Sequence, residues 1–394
     1  MAAGAKGSRP RLRAACLATA ALLALALGAA AQPTSAQARL PRVRHIFVIV
    51  LENQSYAKTF GNPAADPYLA ETLPSQGALL ENYYGTAHES LANYITLVSG
   101  QPPNPDTQAD CIPIFSDFVE AITLEEGIPA GKGCVYPASV ANIGTQMSAA
   151  GIKWKAYQED MGNDPQREAA ACGHPAVGSP DETQKAEEGD GYATRHDPFV
   201  YFHSVIDDQA YCNAHIVALG SPSGAMPPGA LPKETGLATD LLHATKTPKL
   251  SFITPDLCDD GHDFPCTNEP SGASALADID AFLETWVPKI TASPAFKRNG
   301  LLEILFDEAE NSDATACCEE KSGPNTPAPG VTGPGGGRVG AVLLSPFIKL
   351  GTVSATPYNH YSSLASWESF LKLPRLGYAD AAPDVFGSDV FTGP

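Results

Sequence analysis

Four runs of apolar, β-branched residues predict strands that are buried on both faces of a sheet. These runs are 45–51, 249–254, 301–306 and 339–344. Apolar and polar residues alternate over 151–158, which predicts a fifth strand. Because helical patterns separate the strands, we expect an α/β fold with a mainly parallel sheet and helices on both faces.

Apolar residues spaced three and four apart predict the helices. Helices are expected over 66–84, behind Ser90, after Asp197, over 274–290 and after Tyr358. Ser90 fits the N-cap of its helix, where backbone N–H groups and the helix dipole favour an anion. A serine that only caps the helix is the alternative interpretation.

Acidic residues follow three of the predicted strands. Glu52 and Asn53 end the first, residues 256–263 follow the second, and Asp307 and Glu308 end the third. The carboxyl ends of parallel strands line the crevice where α/β proteins bind ligands. Carboxylates crowded there repel one another unless a cation neutralises them, so the pattern favours a divalent metal ion. Helix capping and an acidic surface loop are the alternatives.

A serine beside such a cation predicts phosphoryl transfer through a covalent phosphoserine. His262 follows a strand, and His360, like His196, precedes a predicted helix. His262 and His360 could bind the ion or protonate the leaving alkoxide. This hypothesis requires Ser90 to be accessible and within about a dozen ångströms of the strand-end acids.

The first 38 residues have the features of a secretory signal. Four basic residues precede an apolar run over 14–31, and small residues over 35–38 offer a cleavage site. Removing four basic and no acidic residues takes the formal charge from −19 to −23. We therefore expect a secreted protein that neither binds nucleic acid nor inserts stably into a membrane. Its oligomeric state is left open.

Residues 39–394 read as a single domain with long loops. Loop or lid insertions are expected near 101–145, 160–195 and 218–235, and the first is read as a disulfide-pinned excursion over the site. An even number of cysteines after the leader predicts disulfides. The local pairs 111–134, 172–212 and 258–266 are plausible, whereas Cys317 and Cys318 are expected to bond elsewhere or stay partly reduced.

Taken together, the motifs resemble the bacterial phosphoesterase family, which groups secreted acid phosphatases with phospholipases C within the alkaline phosphatase superfamily. The resemblance is nearest to the acid phosphatase branch that includes phosphatidylinositol-3-phosphate phosphatases. It rests on the segments 45–61, 90–94, 154–157, 195–199, 254–263, 307–308 and 358–362.

The resemblance implies an αβα sandwich with an alkaline-phosphatase-like core and a set of site residues. The implied metal ligands are Glu52, Asn53, Asp256, Asp260, Asp307 and Glu308. The implied catalytic residues are Ser90 as nucleophile, Asn93 on a phosphoryl oxygen, His262 and His360, with His88 and His196 binding substrate. The substrate would be a phosphorylated small molecule or lipid headgroup.

Two departures from the family pattern matter. Asp256 stands where relatives often have Asn, and residues 309–313 lack a histidine that some phospholipase relatives carry. The second departure weakens the phospholipase interpretation.

Three alternatives stay open at this point. A phosphohistidine mechanism would use His88 or the Arg195–His196 pair as the nucleophile. A phospholipase C would cleave phosphodiesters instead of monoesters. A secreted binding protein would use the same scaffold without catalysis.

Overall fold

The computed structural model describes residues 40–123, 127–267, 272–381 and 384–391. The predicted leader lies outside the described residues. Residues Ala38–Pro394 form one compact unit. Among the described residues, no helix is long and apolar enough to cross a membrane.

An eight-stranded sheet forms the centre of the fold, with two small two-stranded sheets beside it. In chain order the strands are β1 (His45–Leu51), β2 (Ala78–Leu80), β3 (Tyr83–Tyr84), β4 (Val119–Thr123), β5 (Pro129–Lys132), β6 (Trp154–Gln158), β7 (Ile216–Ala218), β8 (Leu250–Thr254), β9 (Gly300–Phe306), β10 (Ala341–Leu344), β11 (Thr352–Ser354) and β12 (Tyr358–Asn359). The order across the large sheet is β11-β2-β10-β9-β1-β8-β6-β7.

Only β10 runs against the other strands of the large sheet, since it pairs antiparallel with both β2 and β9. The remaining pairs are parallel, so the prediction of an α/β fold with a mainly parallel sheet is confirmed. All five predicted strands are present within a few residues of their expected bounds. Strands β1, β8 and β9 are completely buried, as their largely apolar runs predict.

The α-helices are α1 (Leu73–Gln76), α2 (Ser90–Ser99), α3 (Ile143–Ala149), α4 (His203–Ile206), α5 (Gln209–His215), α6 (Leu237–Asp240), α7 (Ala275–Ala292), α8 (Pro294–Asn299) and α9 (His360–Leu371). Helices α2, α7 and α9 match the predicted helices behind Ser90, over 274–290 and after Tyr358. After Asp197 the chain forms a 3₁₀ turn, Pro198–Tyr201, and then α4.

The predicted helix over 66–84 is wrong beyond residue 76. A π-helical turn, Tyr68–Thr72, and α1 are followed at once by β2. Gly77 ends the helix because its backbone packs against β10, where an added Cβ would lie 2.2 Å from the Leu343 carbonyl oxygen. Pairing with β10 and β11 therefore overrides the helical spacing of the apolar residues.

Four disulfides join the cysteines of the described residues. Three are the expected pairs, 111–134, 172–212 and 258–266. The fourth joins Cys317 to Cys318, so the expectation that these two bond elsewhere or stay reduced is wrong. The two cysteines are adjacent in a short irregular segment, where a local bond needs no partner from elsewhere in the chain.

Candidate active site

The carboxyl ends of β1 and β9 bring the first acidic residues together. Leu51 pairs with Phe306, so Glu52 and Asp307 follow neighbouring strands at the same level. The Asn53 backbone N–H donates to Asp307 Oδ1 at 3.1 Å, and the Asn53 amide donates to Glu52 Oε2 at 2.9 Å. Asn53 reaches both groups from a left-handed backbone conformation, φ 54°, which Asn tolerates better than most residues.

Helix α2 places Ser90 directly against this cluster. The Ser90 hydroxyl donates to Glu52 Oε2 at 2.8 Å. The prediction that Ser90 is the N-cap is wrong by one residue, because Glu89 holds that position and Ser90 is the first helical residue. The fold brings Ser90 into contact with Glu52 although the two lie 38 residues apart in the sequence, as the hypothesis requires.

Ser90 is nevertheless buried, with 2% of its surface exposed, so the expectation of an accessible serine is wrong. Asp110 lies beside this end of helix α2, where it accepts the Leu91 backbone N–H at 2.9 Å. Asn53 and Glu89 are half-buried, and the His262 side chain is 28% exposed. These three residues mark the side from which solvent reaches the cluster.

Asn93 binds the loop before Ser90 and also reaches Glu308. Its oxygen accepts the backbone N–H groups of Thr86 and Ala87, at 3.0 and 2.9 Å. Its NH₂ group donates to the Ala87 carbonyl at 2.9 Å and to Glu308 Oε2 at 3.1 Å. Asn93 therefore holds the loop in place, and a phosphoryl oxygen would have to share its NH₂ group with these acceptors.

His88 and His196 lie on opposite sides of the acidic cluster. His88 Nδ1 is 2.8 Å from Glu308 Oε2, and its Nε2 bonds to the Asp313 carbonyl. His196 Nδ1 is 3.0 Å from Asp260 Oδ2, and its Nε2 is 3.4 Å from Glu52 Oε1. Burial lowers the pKa of both imidazoles, which favours their neutral forms.

The ring of His196 stacks on Tyr94 of helix α2, with centroids 5.2 Å apart and an interplanar angle of 6°. Asp260 fixes the same ring through Nδ1, which leaves Nε2 directed at Glu52. Asp260 also accepts the His262 backbone N–H at 2.8 Å. Asp260 thus holds two histidines of the site.

His262 lies on the exposed side of the site. Its Nδ1 is 2.8 Å from Asp263 Oδ1, and its Nε2 is 3.1 Å from Arg195 Nη2. One ligand atom each from Glu52, His196 and His262 lie within 4.8 Å of one another, a spacing that a metal ion could bridge.

His360 lies beneath the site and is completely buried. Its Nε2 is 2.6 Å from the Asp307 carbonyl oxygen and its Nδ1 is 3.1 Å from the Tyr83 hydroxyl. Burial lowers the pKa of His360 to about 4, so the ring is neutral at ordinary pH. Both nitrogens are therefore engaged within the protein, and the contact to Asp307 is through its backbone.

Asp256 lies in a different acidic group. Its Oδ1 accepts the backbone N–H groups of Cys258 and Asp259. Ligand atoms of Glu159, Asp256 and Asp259 lie within 4.8 Å of one another, so Asp256 is grouped with these acids and not with Glu52. The structure thus brings together Glu52, Asn53, Asp307 and Glu308 of the predicted metal ligands, places Asp260 behind His196, and leaves Asp256 apart.

The electrostatics of the main cluster fit a cation. Burial raises the pKa of Glu52 well above its usual value, and the charges of Asp307 and Asp260 raise it further. Burial raises the pKa of Asp307 to about 7 despite backbone N–H donors, and burial together with Asp307 and Glu52 raises that of Glu308. Among the described residues, one oxygen of each of Glu52, Asp307 and Glu308 is buried without a hydrogen-bond donor. Hard carboxylate donors of this kind suit a divalent ion.

Comparison with known proteins identifies the family of the chain. The sequence model of the Phosphoesterase family matches residues 63–374. The chain belongs to the phosphoesterase family. The family resemblance predicted from the motifs is therefore confirmed.

Two relatives of this phosphoesterase cover most of its length. The phosphatidylinositol-3-phosphatase of Mycobacterium tuberculosis is 25% identical over 367 residues, which span 93% of this chain and 89% of the relative. The phosphate-repressible acid phosphatase of Penicillium chrysogenum is 26% identical over 340 residues, 86% of this chain but only 61% of the fungal protein.

Solved structures show a weaker likeness. A protein in the alkaline phosphatase superfamily from Vibrio parahaemolyticus is 11% identical, with a TM-score of 0.47, over 86% of this chain and 69% of its own. A mutant of the alkaline phosphatase PafA has a TM-score of 0.43 at 11% identity, over 90% of this chain and 100% of its own. At these TM-scores the likeness says nothing about the chemistry of this phosphoesterase.

The sequence assigns no role to Tyr94, which lies in the apolar stripe behind Ser90, or to Asp110, which lies in the expected loop over 101–145. It assigns Arg195 a role only in the alternative phosphohistidine mechanism. The disulfide at Cys111 was the available signal for Asp110, because it anchors the loop that places this carboxylate on helix α2. For Arg195 the only signal was its position before His196.

Proposed function

We propose that this phosphoesterase hydrolyses phosphate monoesters and that Ser90 is its nucleophile. The observation that carries the proposal is the 2.8 Å hydrogen bond from the Ser90 hydroxyl to Glu52 Oε2, at the joint end of β1 and β9. A hydroxyl bound to a carboxylate has an acceptor for its proton. The family and the names of the phosphatase relatives support the same reaction class.

A divalent ion fits the acidic cluster. Glu52, Asn53, Asp307 and Glu308 would hold it, since they lie together and three carboxylate oxygens have no donor within the described residues. Such an ion, when bound, lowers the pKa of a coordinated hydroxyl and polarises a phosphoryl oxygen. The ion would also offset the repulsion that raises the pKa of these acids.

The residues of the chain account for the proton movements. As Ser90 Oγ forms a bond to phosphorus, its proton passes to Glu52 Oε2 and the bond to the leaving alcohol breaks. His262 fits the role of proton donor to that alcohol better than His360, because His262 is partly exposed while both nitrogens of His360 are engaged in the interior. Water then attacks phosphorus and gives one proton to His262, the Ser90–phosphorus bond breaks, and Glu52 returns its proton to Ser90 Oγ.

Access to Ser90 is part of the proposal. Because Ser90 is only 2% exposed, a substrate reaches it only when the loop over 86–89 or the segment around His262 moves. Phosphorylated lipid headgroups are substrates to test because the Mycobacterium relative is named a phosphatidylinositol-3-phosphatase. Secretion is proposed from the leader pattern and from the disulfides that the structure contains.

The test compares two variants and one control. The protein is stripped of metal with a chelator, supplied with single divalent ions, and assayed on p-nitrophenyl phosphate and on phosphoinositides. Ser90→Ala is expected to lose at least about a thousandfold in kcat, since the covalent route needs this oxygen. His88→Ala is expected to lose far less, and Ser99→Ala, at the other end of helix α2, is expected to match the wild type.

Full activity of Ser90→Ala, or a greater loss in His88→Ala, would favour the phosphohistidine mechanism. Faster cleavage of phosphatidylcholine than of monoesters would favour phospholipase C. Absence of turnover with every ion and pH tested would leave a binding protein on the same scaffold.

A further inference from the structure

Arg195 is a buried arginine with an unused donor beside the site. Its side chain is 3% exposed, and its Nη1 donates to the Gln184 carbonyl at 3.1 Å. Its Nη2 lies 3.1 Å from His262 Nε2. Its Nε has no hydrogen-bond partner within the described residues. The edge of the guanidinium formed by Nε and Nη2 therefore has spare donor capacity in a buried position.

The contact with His262 fixes the state of the imidazole. A guanidinium is always protonated and can only donate, so His262 Nε2 must accept with its lone pair. The His262 proton then lies on Nδ1, which donates to Asp263 Oδ1 at 2.8 Å. While this contact persists, Nε2 cannot carry a proton to a leaving group. Any anion that drew Nη2 away would release Nε2 for the role proposed above.

Asp110, the carboxylate paired with Arg195, is not within hydrogen-bond distance of it. Asp110 Oδ2 is 3.8 Å from Arg195 Nε, while the other Asp110 oxygen accepts the Leu91 N–H. The side chain of Arg167 is also largely buried and its Nε also lacks a hydrogen-bond partner within the described residues, but its Nη1 lies 3.1 Å from Asp190 Oδ2. A charge held in the interior beyond the range of a hydrogen-bonded counterion is costly, so it calls for an anionic partner.

The site contacts link Arg195 to the nucleophile. Asp110 contacts both Arg195 and the residue after Ser90. His262 contacts Arg195 and lies within 4.8 Å of a Glu52 oxygen, and Glu52 in turn accepts the Ser90 hydroxyl. Two independent routes thus connect the guanidinium to Ser90.

We propose that Arg195 binds the phosphoryl group through Nε and Nη2 and sets the preference for monoesters over diesters. Guanidinium edges bind phosphate oxygens in pairs, with both geometry and charge matched. A monoester dianion carries one more negative charge than a diester, so a buried cation favours it. The inference rests on the proposed function, because it concerns the substrate of the same site.

The first experiment measures binding without turnover. Inorganic phosphate is added to the metal-loaded protein, and its dissociation constant is taken from the shift in thermal unfolding. Arg195→Met keeps much of the volume and removes the charge, and it is expected to weaken phosphate binding about ten- to a hundredfold. Arg195→Lys is expected to recover part of this loss, since it restores the charge but not the paired donors.

The Asp110→Asn variant distinguishes a phosphate-binding role of Arg195 from a purely structural one. If Arg195 binds phosphate, removing the adjacent negative charge is expected to tighten phosphate binding several-fold, opposite in direction to Arg195→Met. If Arg195 only holds Asp110 in place, Asp110→Asn and Arg195→Met would both weaken phosphate binding to a similar extent. Arg167→Met is the matched control for loss of a buried arginine and is expected to change stability without changing phosphate affinity.

Substrate preference gives the second readout. In Arg195→Met, kcat/KM for p-nitrophenyl phosphate is expected to fall at least tenfold more than for bis-p-nitrophenyl phosphate. Equal losses on both substrates, or unchanged phosphate affinity in a folded Arg195→Met, would overturn the role of Arg195. A wild type that binds phosphate but turns over no monoester would instead overturn the proposed function.

Discussion

Glu303 is an acid in the middle of the completely buried strand β9, and it starts a chain of hydrogen bonds that ends at the site. Ser363 Oγ is 2.5 Å from Glu303 Oε1 and 2.6 Å from the Tyr83 hydroxyl. Tyr83 is 3.1 Å from His360 Nδ1, and His360 Nε2 is 2.6 Å from the carbonyl of Asp307. The interior thus supports a proposed metal ligand through its backbone.

Burial and two hydrogen-bond donors act in opposite directions on Glu303. Ser363 Oγ donates to Glu303 Oε1, and Trp367 Nε1 donates to Glu303 Oε2 at 2.7 Å. Burial outweighs these donors and raises the pKa of Glu303 to about 7. At the other end of the chain a carbonyl can only accept, so the neutral His360 ring carries its proton on Nε2.

Glu303→Gln is expected to flatten the pH dependence of stability. The folded-state pKa of about 7 lies above the ordinary glutamate value of 4.5, so the native state holds this proton more tightly than the unfolded chain. The tighter proton binding contributes on the order of 3 kcal/mol to the free energy of unfolding below pH 4.5. This contribution is lost as the pH rises through 7. Urea unfolding at pH 5 and pH 8 should show a smaller decline for Glu303→Gln than for wild type.

The exposed Glu182→Gln variant is the control and is expected to keep the wild-type slope. An unchanged slope in Glu303→Gln would mean that Glu303 is ionised in the native protein throughout this range.

Among the helices and strands, those strands that carry the site were the easiest to predict from the sequence. A strand buried on both faces is mostly apolar, which makes β1, β8 and β9 visible in the sequence. The convergence of Glu52 and Asp307 follows from parallel pairing of β1 with β9. Strands β2, β7 and β11 have three residues each, too few to show a period.

Other features depend on contacts that no local pattern contains. The antiparallel direction of β10 depends on how the chain returns to the sheet and not on its own residues. The separation of Asp256 from Glu52 depends on the turn after β8, where Asp256 binds the next backbone N–H groups. The position of Asp110 beside α2 depends on a disulfide-anchored loop, which brings this residue to Leu91 from 19 residues away.

The glycine run over 335–337 supports the loop that precedes Ser90. Gly336 donates to the Gly85 carbonyl at 3.0 Å and accepts the Ala309 N–H at 2.7 Å. An added Cβ on Gly336 would lie 2.1 Å from the Ala87 carbonyl oxygen. The run therefore serves close backbone packing, in keeping with the absence of the Lys-Ser/Thr that a phosphate-binding loop would need.

Gly336→Ala is expected to destabilise the protein by about 1–3 kcal/mol, because backbone on both sides must move. Since the displaced loop leads into Ser90, kcat is expected to fall as well. Gly387→Ala is the matched control, because an added Cβ there meets only ordinary contacts. Chemical unfolding and steady-state kinetics on both variants check the expectation, and wild-type values for Gly336→Ala would show that the loop adapts without cost.

For the whole molecule, three disulfides restrict the long loops. The 111–134 bond lies within the expected loop over 101–145, while the 172–212 bond joins residue 172 of the loop over 160–195 to helix α5. The 258–266 bond closes the segment that carries His262. An acidic chain with long loops gains little from charge pairing between them, so covalent links reduce the freedom of the unfolded chain instead.

When these bonds are removed one at a time, the loss of stability is expected to increase with the length of the loop that each bond closes. Closing 40 residues between Cys172 and Cys212 restricts the unfolded chain more than closing 8 between Cys258 and Cys266. The chain-entropy relation gives losses of about 4 and about 2.5 kcal/mol for the paired alanine variants, measured by urea unfolding. The pair at 317 and 318 closes no loop, so its alanine variant is the control. If the 258–266 variant were the least stable, support of the segment around His262 would outweigh chain entropy.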